Sequence, residues 1–376
     1  MKILITNRVL ASGSGTETVA CDLATEFVRL GHDAAIYSPL LGPWAQQASS
    51  RGLTVFDDIR RVSPTPEIVH GQHHAQTLTA LLRFPEARAV FVCHDATAWH
   101  DEALLFPRVR QYVAVDHRCL RRFEADRRVP QERVRVIFNA VDLRRFKPRP
   151  PLPAQPKRAA IFSNYASKFT HTGAVSKACL RLGLGLDVIG TSAGTATPVP
   201  EQALPKYDLV FAKARCALEA MAVGAAVVLC DFAGLGGMVT PENFSSMRKL
   251  NFGTGNLVQP LDPALIAAEI QKYDREQAAS VAALARGEAS LAVAAAEWLE
   301  LYREILNEPR VAADCSQELA AVADYLLRWG YDARIAYEKE HIRRFQSWPL
   351  LGRCLHWLLE SERARILRFR DAPPRR

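Results

Sequence analysis

Short apolar runs bounded by glycine or polar residues recur along the first 300 or so residues, and stretches with helical periodicity separate them. Runs of this length that are rich in Val and Ile favour strands, and their alternation with helices indicates parallel sheets. The predicted strands are 2–6, 33–39, 67–70, 89–93, 112–116, 134–138, 159–163, 186–190, 209–211 and 225–230. The stretch FAGLGG, 232–237, is expected to be a flexible loop. A proline-rich tract over 148–157 interrupts this pattern, and we interpret it as a linker between two domains.

The segment 209–231 carries the clearest chemical signal of the chain. A strand leads into a basic turn with Lys213 and Arg215, then into a helix through Glu219 that Gly224 ends, and a second strand follows. Ligands of such units bind at the carboxyl ends of the strands, and a helix amino end attracts phosphate. Glu219 lies one turn further in, where it can accept hydrogen bonds from ribose hydroxyls. The alternative is a basic surface turn with a solvated Glu.

Glycines mark a second turn of interest, in the stretch LASGSGTET before the first predicted helix, 18–30. Gly13 and Gly15 permit close approach of the backbone to a ligand, although a purely structural tight turn explains them as well. As a dinucleotide fingerprint the motif is incomplete, because Thr18 stands where the third glycine belongs. An NAD-dependent dehydrogenase is therefore the least supported function.

Histidines follow two predicted strands. His70 and His73 lie in EIVHGQHH without helical pairing and without an evident carboxylate or cysteine partner, so we expect no metal site there. His94 ends the strand AVFVC and is a candidate for the cleft between domains, while a satisfied buried histidine is the alternative.

Composition narrows the class of protein. The 376 residues, of which 49% are hydrophobic, suffice for two domains and an appendage. We expect a cytoplasmic protein, because no apolar run is long enough to span a membrane and polar residues interrupt the first ten positions. The eight cysteines are scattered and are predicted to be reduced. A net charge of +8 indicates a phosphate-bearing partner or anionic lipid, whereas too few aromatic residues accompany the arginines for nucleic acid.

Two stretches resemble a known family. LEAMAVGAAVVLCD, 218–231, is similar to the donor-site segment of retaining GT-B glycosyltransferases of glycosyltransferase family 4. VRVIFNAVDLRRFKP, 134–148, resembles the family's Asn-Gly-Val-Asp signature, with Ala140 in place of the glycine. The resemblance covers about 1–306. It implies an α/β protein with two Rossmann-like domains facing a cleft: an acceptor-side domain, 1–150, and a nucleotide-sugar-binding domain, 151–306, followed by a basic helical extension, 307–376.

The resemblance also implies roles for single residues. Two of them are catalytic: His94 touches the transferred sugar, and Lys168 neutralises the leaving diphosphate. Glu219 binds the donor ribose, and Gly190 belongs to the turn beneath the base. The donor-binding positions expected in all are Gly13, Gly15, Lys168, Gly190, Lys213, Arg215 and Glu219.

The chain departs from the family at two donor-site positions. Phe211 stands where the family has its first Glu, and Ser163 stands where it has an Arg. Two functions follow. One is a retaining, metal-independent hexosyltransferase without a cofactor, which moves a sugar from a nucleoside-diphosphate donor to a glycan or lipid-linked acceptor in surface-polysaccharide or glycolipid assembly. The other is a degenerate GT-B module that binds nucleotide or glycan without turnover.

The basic tail lies outside the resemblance. An apolar stripe, Trp348, Leu351, Leu355, Leu358 and Leu359, is surrounded by arginines. Such a helix can lie peripherally on an anionic inner membrane face or pack against its own domain, and the pattern favours packing.

Overall fold

A computed structural model describes residues 1–309 and 314–330 of the chain. The chain forms two compact units, Met1–Ala313 and Asp314–Arg376. The first unit contains two β-sheets with helices around them. The described part of the second unit contains the helix α12, Cys315–Trp329.

The first sheet has seven strands in the order β3-β2-β1-β4-β5-β6-β7, and all of its pairs are parallel. Because the order reverses between β1 and β4, their carboxyl ends diverge and leave a crevice there. The strands are β1 Lys2–Thr6, β2 Asp33–Tyr37, β3 Thr54–Phe56, β4 Ile68–Gln72, β5 Arg88–Cys93, β6 Val109–Ala114 and β7 Val134–Val136. The helices are α1 Gly15–Arg29, α2 Pro43–Ser50, α3 His74–Arg83 and α4 His117–Ala125.

The second sheet has five strands in the order β12-β11-β10-β8-β9, and its reversal falls between β8 and β10. Separate apolar clusters cover its two faces, and the strands 209–212 and 226–231 are buried along their whole length. The strands are β8 Arg158–Phe162, β9 Gly185–Ile189, β10 Leu209–Ala212, β11 Ala226–Asp231 and β12 Gly234–Met238. The helices are α5 Thr172–Arg181, α6 Pro200–Ala203, α7 Ala214–Val223, α8 Pro241–Lys249, α9 Pro263–Gln271, α10 Arg275–Glu288 and α11 Leu291–Asn307.

The ten predicted strands are all present, but the prediction for FAGLGG was wrong. This stretch was expected to be a loop, whereas Gly234–Met238 pairs antiparallel with β11. Its glycines weaken any strand signal in the sequence, and two of them, Gly234 and Gly237, adopt positive φ angles of 147° and 87°. The first helix also begins at Gly15, three residues before the predicted start at 18.

The last helix of the first unit packs against the amino-terminal half. The ring of Tyr302 on α11 lies 5.7 Å from that of Phe27 on α1. The Tyr302 hydroxyl is 2.6 Å from Nδ1 of His70, in the middle of β4. The two halves are thus joined both by the 137–157 connection and by α11.

Three expectations about chain organisation have different outcomes. The predicted domain boundary at 150 falls in the connection between β7 and β8, and the boundaries themselves stay a prediction. The helical extension is represented by α12, while the stripe that begins at Trp348 lies outside the described residues. None of the helices in the described ranges is both long and apolar enough to cross a bilayer.

We expect Tyr302→Phe to lower the free energy of unfolding by roughly 1–3 kcal/mol, because it leaves a buried polar atom of His70 without its partner. Urea denaturation measures this change. Tyr165→Phe is the matched control, since the Tyr165 side chain is 49% exposed and its stability effect should be near zero. Equal effects of the two substitutions would contradict the prediction.

Candidate functional site

Polar side chains meet at the carboxyl edge of the second sheet. Ser163 and Lys213 directly follow β8 and β10, and Asp231 is the last residue of β11. The Ser163 hydroxyl donates to Oδ2 of Asp231 at 2.9 Å, and the Lys213 ammonium lies 3.8 Å from the same oxygen. The edge that the sequence predicted as the ligand side therefore holds a compact charged cluster.

The amino end of α7 opens at this edge. The helix begins at Ala214, which adopts a strained positive φ of 50°, and no side chain caps it. The backbone amides of Arg215 and Cys216 donate to no carbonyl or side chain within the described ranges. Free amides at a helix amino end form an anion site, so this position suits a phosphate.

The structure corrects the predicted setting of Arg215. The residue was expected in the turn before the helix, but it lies in the first turn of α7 and is only 8% exposed. Its Nε donates to Oε1 of Glu219 at 2.9 Å, and its other arm contacts the carboxylate of Asp22 on α1. Burial alone would lower the pKa of this guanidinium, but the two carboxylates raise it, so Arg215 stays charged.

This contact belongs to an ion-pair network between the two halves. Arg145, from the 134–148 signature, lies 3.3 Å from Asp22 and 2.9 Å from Glu201 on α6. Asp22 is thus shared by two arginines. Sequence reasoning missed both Asp22 and Arg145, although an acidic residue inside the apolar run ACDLA of α1 is a detectable signal.

A small pocket with a cavity volume of about 20 Å³ lies between the halves beside this network. Its lining includes Asp22 and Arg215 together with His94 and His70. Neither histidine has a hydrogen-bond partner for Nε2 among the described residues. Burial lowers the pKa of His94 to about 4 and that of His70 to about 3, so both rings are neutral. Neutral imidazoles can donate to or accept from a sugar hydroxyl.

A buried carboxylate, that of Glu17, stabilises the glycine turn before α1. Glu17 accepts the amides of Ala11, Ser12 and Gly13 at 2.6, 2.9 and 3.0 Å. Gly13 has a φ of 72°, and a Cβ there would lie 2.9 Å from the Trp44 ring, so this glycine is required by the turn. Gly15, in contrast, has open space where a Cβ would be.

The remaining predicted residues have different surroundings. A Cβ on Gly190 would lie 1.9 Å from the carbonyl oxygen of Ser163, so the close approach of two chains requires this glycine. Lys168 is exposed, and its ammonium lies 5.0 Å from the Phe169 ring centre. It follows Ser163 in the same loop, but it makes no ion pair with the charged cluster in the described structure.

A histidine cluster corrects one sequence argument. A carboxylate was thought to be missing near His73, but the structure brings His73, His100 and Asp101 within 4.8 Å of one another. Nδ1 of His73 accepts the Arg8 amide at 3.0 Å, which leaves the ring proton on Nε2. Nε2 would have to lose this proton to bind a metal ion, so the set fits a metal poorly. Burial, followed by the charge of Asp95, raises the pKa of Asp101 to about 8.

Comparison with known families gives a match over part of the chain. Residues 13–145 match the model of Glycosyltransferase Family 4. No curated protein matches the sequence.

Solved structures share the fold over most of the chain. A glycosyltransferase from Rickettsia africae superimposes with a TM-score of 0.59 at 13% identity, over 82% of this chain and 99% of its own. HepE of Anabaena, in complex with UDP and glucose, gives 0.58 at 14% identity, over 81% and 99%. The pneumococcal O-GlcNAc transferase GtfA, in complex with UDP and GlcNAc, gives 0.54 at 11% identity, over 82% and 99%. At identities this low, the superpositions show likeness of fold alone.

Stability should depend on pH through Asp101. Because its native pKa of about 8 exceeds the usual value, the native state holds an extra proton between about pH 4 and 8, and stability falls as pH rises through this window. Histidines whose pKa is lowered in the native state change the free energy of unfolding only below about pH 6.5. Between pH 6.5 and 8, we therefore attribute the change in stability to Asp101.

We therefore expect Asp101→Asn to remove a decline of about 2 kcal/mol between pH 6.5 and 8. Urea denaturation at four pH values measures it. Parallel pH profiles of the wild type and the variant would contradict the assignment.

Proposed function

The chain is a GT-B protein whose residues 13–145 match glycosyltransferase family 4, and on this basis we propose that it transfers a sugar from a nucleoside-diphosphate donor to an acceptor hydroxyl. The reaction proceeds with retention and without a metal ion. The acceptor is a glycan or a lipid-linked sugar of surface-polysaccharide or glycolipid assembly. HepE and GtfA were solved with UDP, so uridine is the first base to test.

One observation carries this proposal: the open amino end of α7 and Glu219 occupy the same helix at the cleft. A phosphate bound by the amides of Arg215 and Cys216 places an attached ribose one turn along the helix, toward Glu219. Across the cleft, His94 lines the cavity that Arg215 also lines. Groups proposed to bind the nucleotide-sugar donor therefore lie in both halves of the chain.

The chemistry follows from charge. Cleavage of the donor bond leaves negative charge on the diphosphate, and fixed positive charge stabilises that transition state. The helix end and the exposed side chain of Lys168 supply this charge. His94 is neutral, so it orients the sugar by hydrogen bonding and adds no charge.

The setting of the reaction is proposed on physical grounds as well. The net charge of +8 suits a phosphorylated or lipid-linked acceptor on the inner membrane face. We place the protein in the cytoplasm, with peripheral contact to anionic lipid through the basic tail as the membrane arrangement to test. A nucleotide or glycan is the partner that the site fits, and no cofactor is invoked.

A degenerate module is the second candidate, and two observations favour it. Phe211 is fully buried, so nothing at this position reaches a sugar. Glu219 is 5% exposed and already binds Arg215. Calorimetry with UDP and GDP, followed by a transfer assay with a donor panel, separates the candidates. Binding with turnover supports the transferase, and binding without turnover supports the module. No binding of either nucleotide contradicts a UDP- or GDP-dependent transferase and a module that binds these nucleotides.

Lys168→Ala should lower kcat/KM for sugar transfer by about tenfold to a hundredfold, because it removes positive charge beside the leaving diphosphate. Stability should not change, since the side chain is exposed. Lys177→Ala on α5 is the matched control, being an exposed lysine of the same half outside the cluster. Equal kinetics of the two variants would exclude Lys168 from the donor site.

A further inference from the structure

The side-chain hydrogen-bond acceptors at the carboxyl edge of the second sheet are already engaged. Asp231 is fully buried, its Oδ2 accepts from Ser163, and its Oδ1 accepts the Phe232 amide at 2.5 Å. The side-chain oxygen of Asn164 accepts from the Thr191 hydroxyl at 3.0 Å. These oxygens therefore offer a ligand little hydrogen-bonding capacity.

Lys213 leaves an unused donor at the same edge. Its ammonium lies 3.8 Å from Asp231, which is an ion pair longer than a hydrogen bond. Two rings flank it, with the centres of Tyr165 and Phe232 at 4.8 and 5.3 Å. The rings touch edge to face at 5.2 Å and are 49% and 48% exposed, so they present an apolar surface to solvent. We refer to Tyr165 and Phe232 as the aromatic pair.

A buried imidazole with unpaired nitrogens lies beside this edge. His171 is 0% exposed, and neither of its ring nitrogens has a hydrogen-bond partner in the described structure. It lies close enough to Asp231 and Lys213 for their charges to act on it. Unpaired buried nitrogens are costly, and they are found where a ligand or water completes the site.

These features select the chemistry of a ligand. A neutral and an acidic sugar share their ring hydroxyls and differ at C6. A C6 hydroxyl donates as well as accepts, so it would leave its donor unpaired against an edge whose acceptors are engaged. A carboxylate only accepts, and its hydrogen bonds to an ammonium are the strong, charge-assisted kind. The apolar face of a sugar ring packs on aromatic rings.

We propose that the transferred sugar is acidic: a uronic-acid-type sugar whose carboxylate binds Lys213 and whose ring packs on the aromatic pair. This inference rests on the proposed function, because it names the substrate of the same site. It assigns Lys213 to the sugar, and leaves the diphosphate to the amino end of α7 and Lys168.

Calorimetry on the full chain tests this with matched donors. UDP-glucuronate and UDP-glucose share every group except the one at C6, and the GDP-mannuronate and GDP-mannose pair serves if GDP is the nucleotide that binds. We expect the acidic donor to bind about tenfold or more tightly than the neutral one, which corresponds to a charge-assisted hydrogen bond. Lys213→Gln should abolish this preference while the affinity for bare UDP or GDP stays within about twofold. Lys177→Gln is the control and should keep the preference.

Several results would overturn the inference, and each is distinguishable from failure of the proposed function. Equal binding of the two wild-type donors overturns it without any variant. Equal weakening of bare nucleotide and acidic donor by Lys213→Gln would assign this lysine to the diphosphate. Loss of bare-nucleotide binding in Tyr165→Leu would assign the rings to the base. Failure of the proposed function shows instead as no nucleotide binding at all.

Discussion

A single buried guanidinium holds the candidate site together. Arg215 contacts Asp22 of the amino-terminal half and Glu219 of its own helix, so it fixes α1 and α7 relative to each other. Breaking such a buried pair from one side leaves an uncompensated charge, which costs about 3–5 kcal/mol. The position of Glu219, of the amino end of α7 and of the cavity beside His94 all depend on this contact.

The two walls of the cleft differ in charge. The amino-terminal wall presents two neutral imidazoles, because burial lowers the pKa of His70 and His94. The other wall presents the cations Lys168 and Lys213 and an uncapped helix end. A phosphate-bearing donor fits the cationic wall, and an uncharged hydroxyl fits the neutral one. Under the proposed function, this division separates the activated sugar from its acceptor.

Local patterns in the sequence predicted most of the fold. The apolar runs predicted the helix before Gly224 and the strand after it, and the glycine predicted the end of the helix. Gly224 does adopt a left-handed φ of 91° there. The edge on which Lys213 lies followed from the strand-helix-strand order. The β12 strand escaped prediction because its glycines carry no strand propensity, and it is stabilised by pairing with β11.

Long-range contacts of the site could not be read from the sequence. Asp22 and Arg215 are 193 positions apart, and nothing in either segment names its partner. The approach of Asp101 to His73 likewise depends on how two loops meet after β4 and β5. The sequence therefore indicated residue types for the cleft. It could not show which of these side chains pair with each other and which stay free, because that depends on the folded structure.

The most direct test of the account is a crystal structure of the chain with a bound nucleoside diphosphate. We predict phosphate oxygens within hydrogen-bond distance of the Arg215 and Cys216 amides, and ribose hydroxyls beside Glu219. A nucleotide bound away from the amino end of α7 would contradict it.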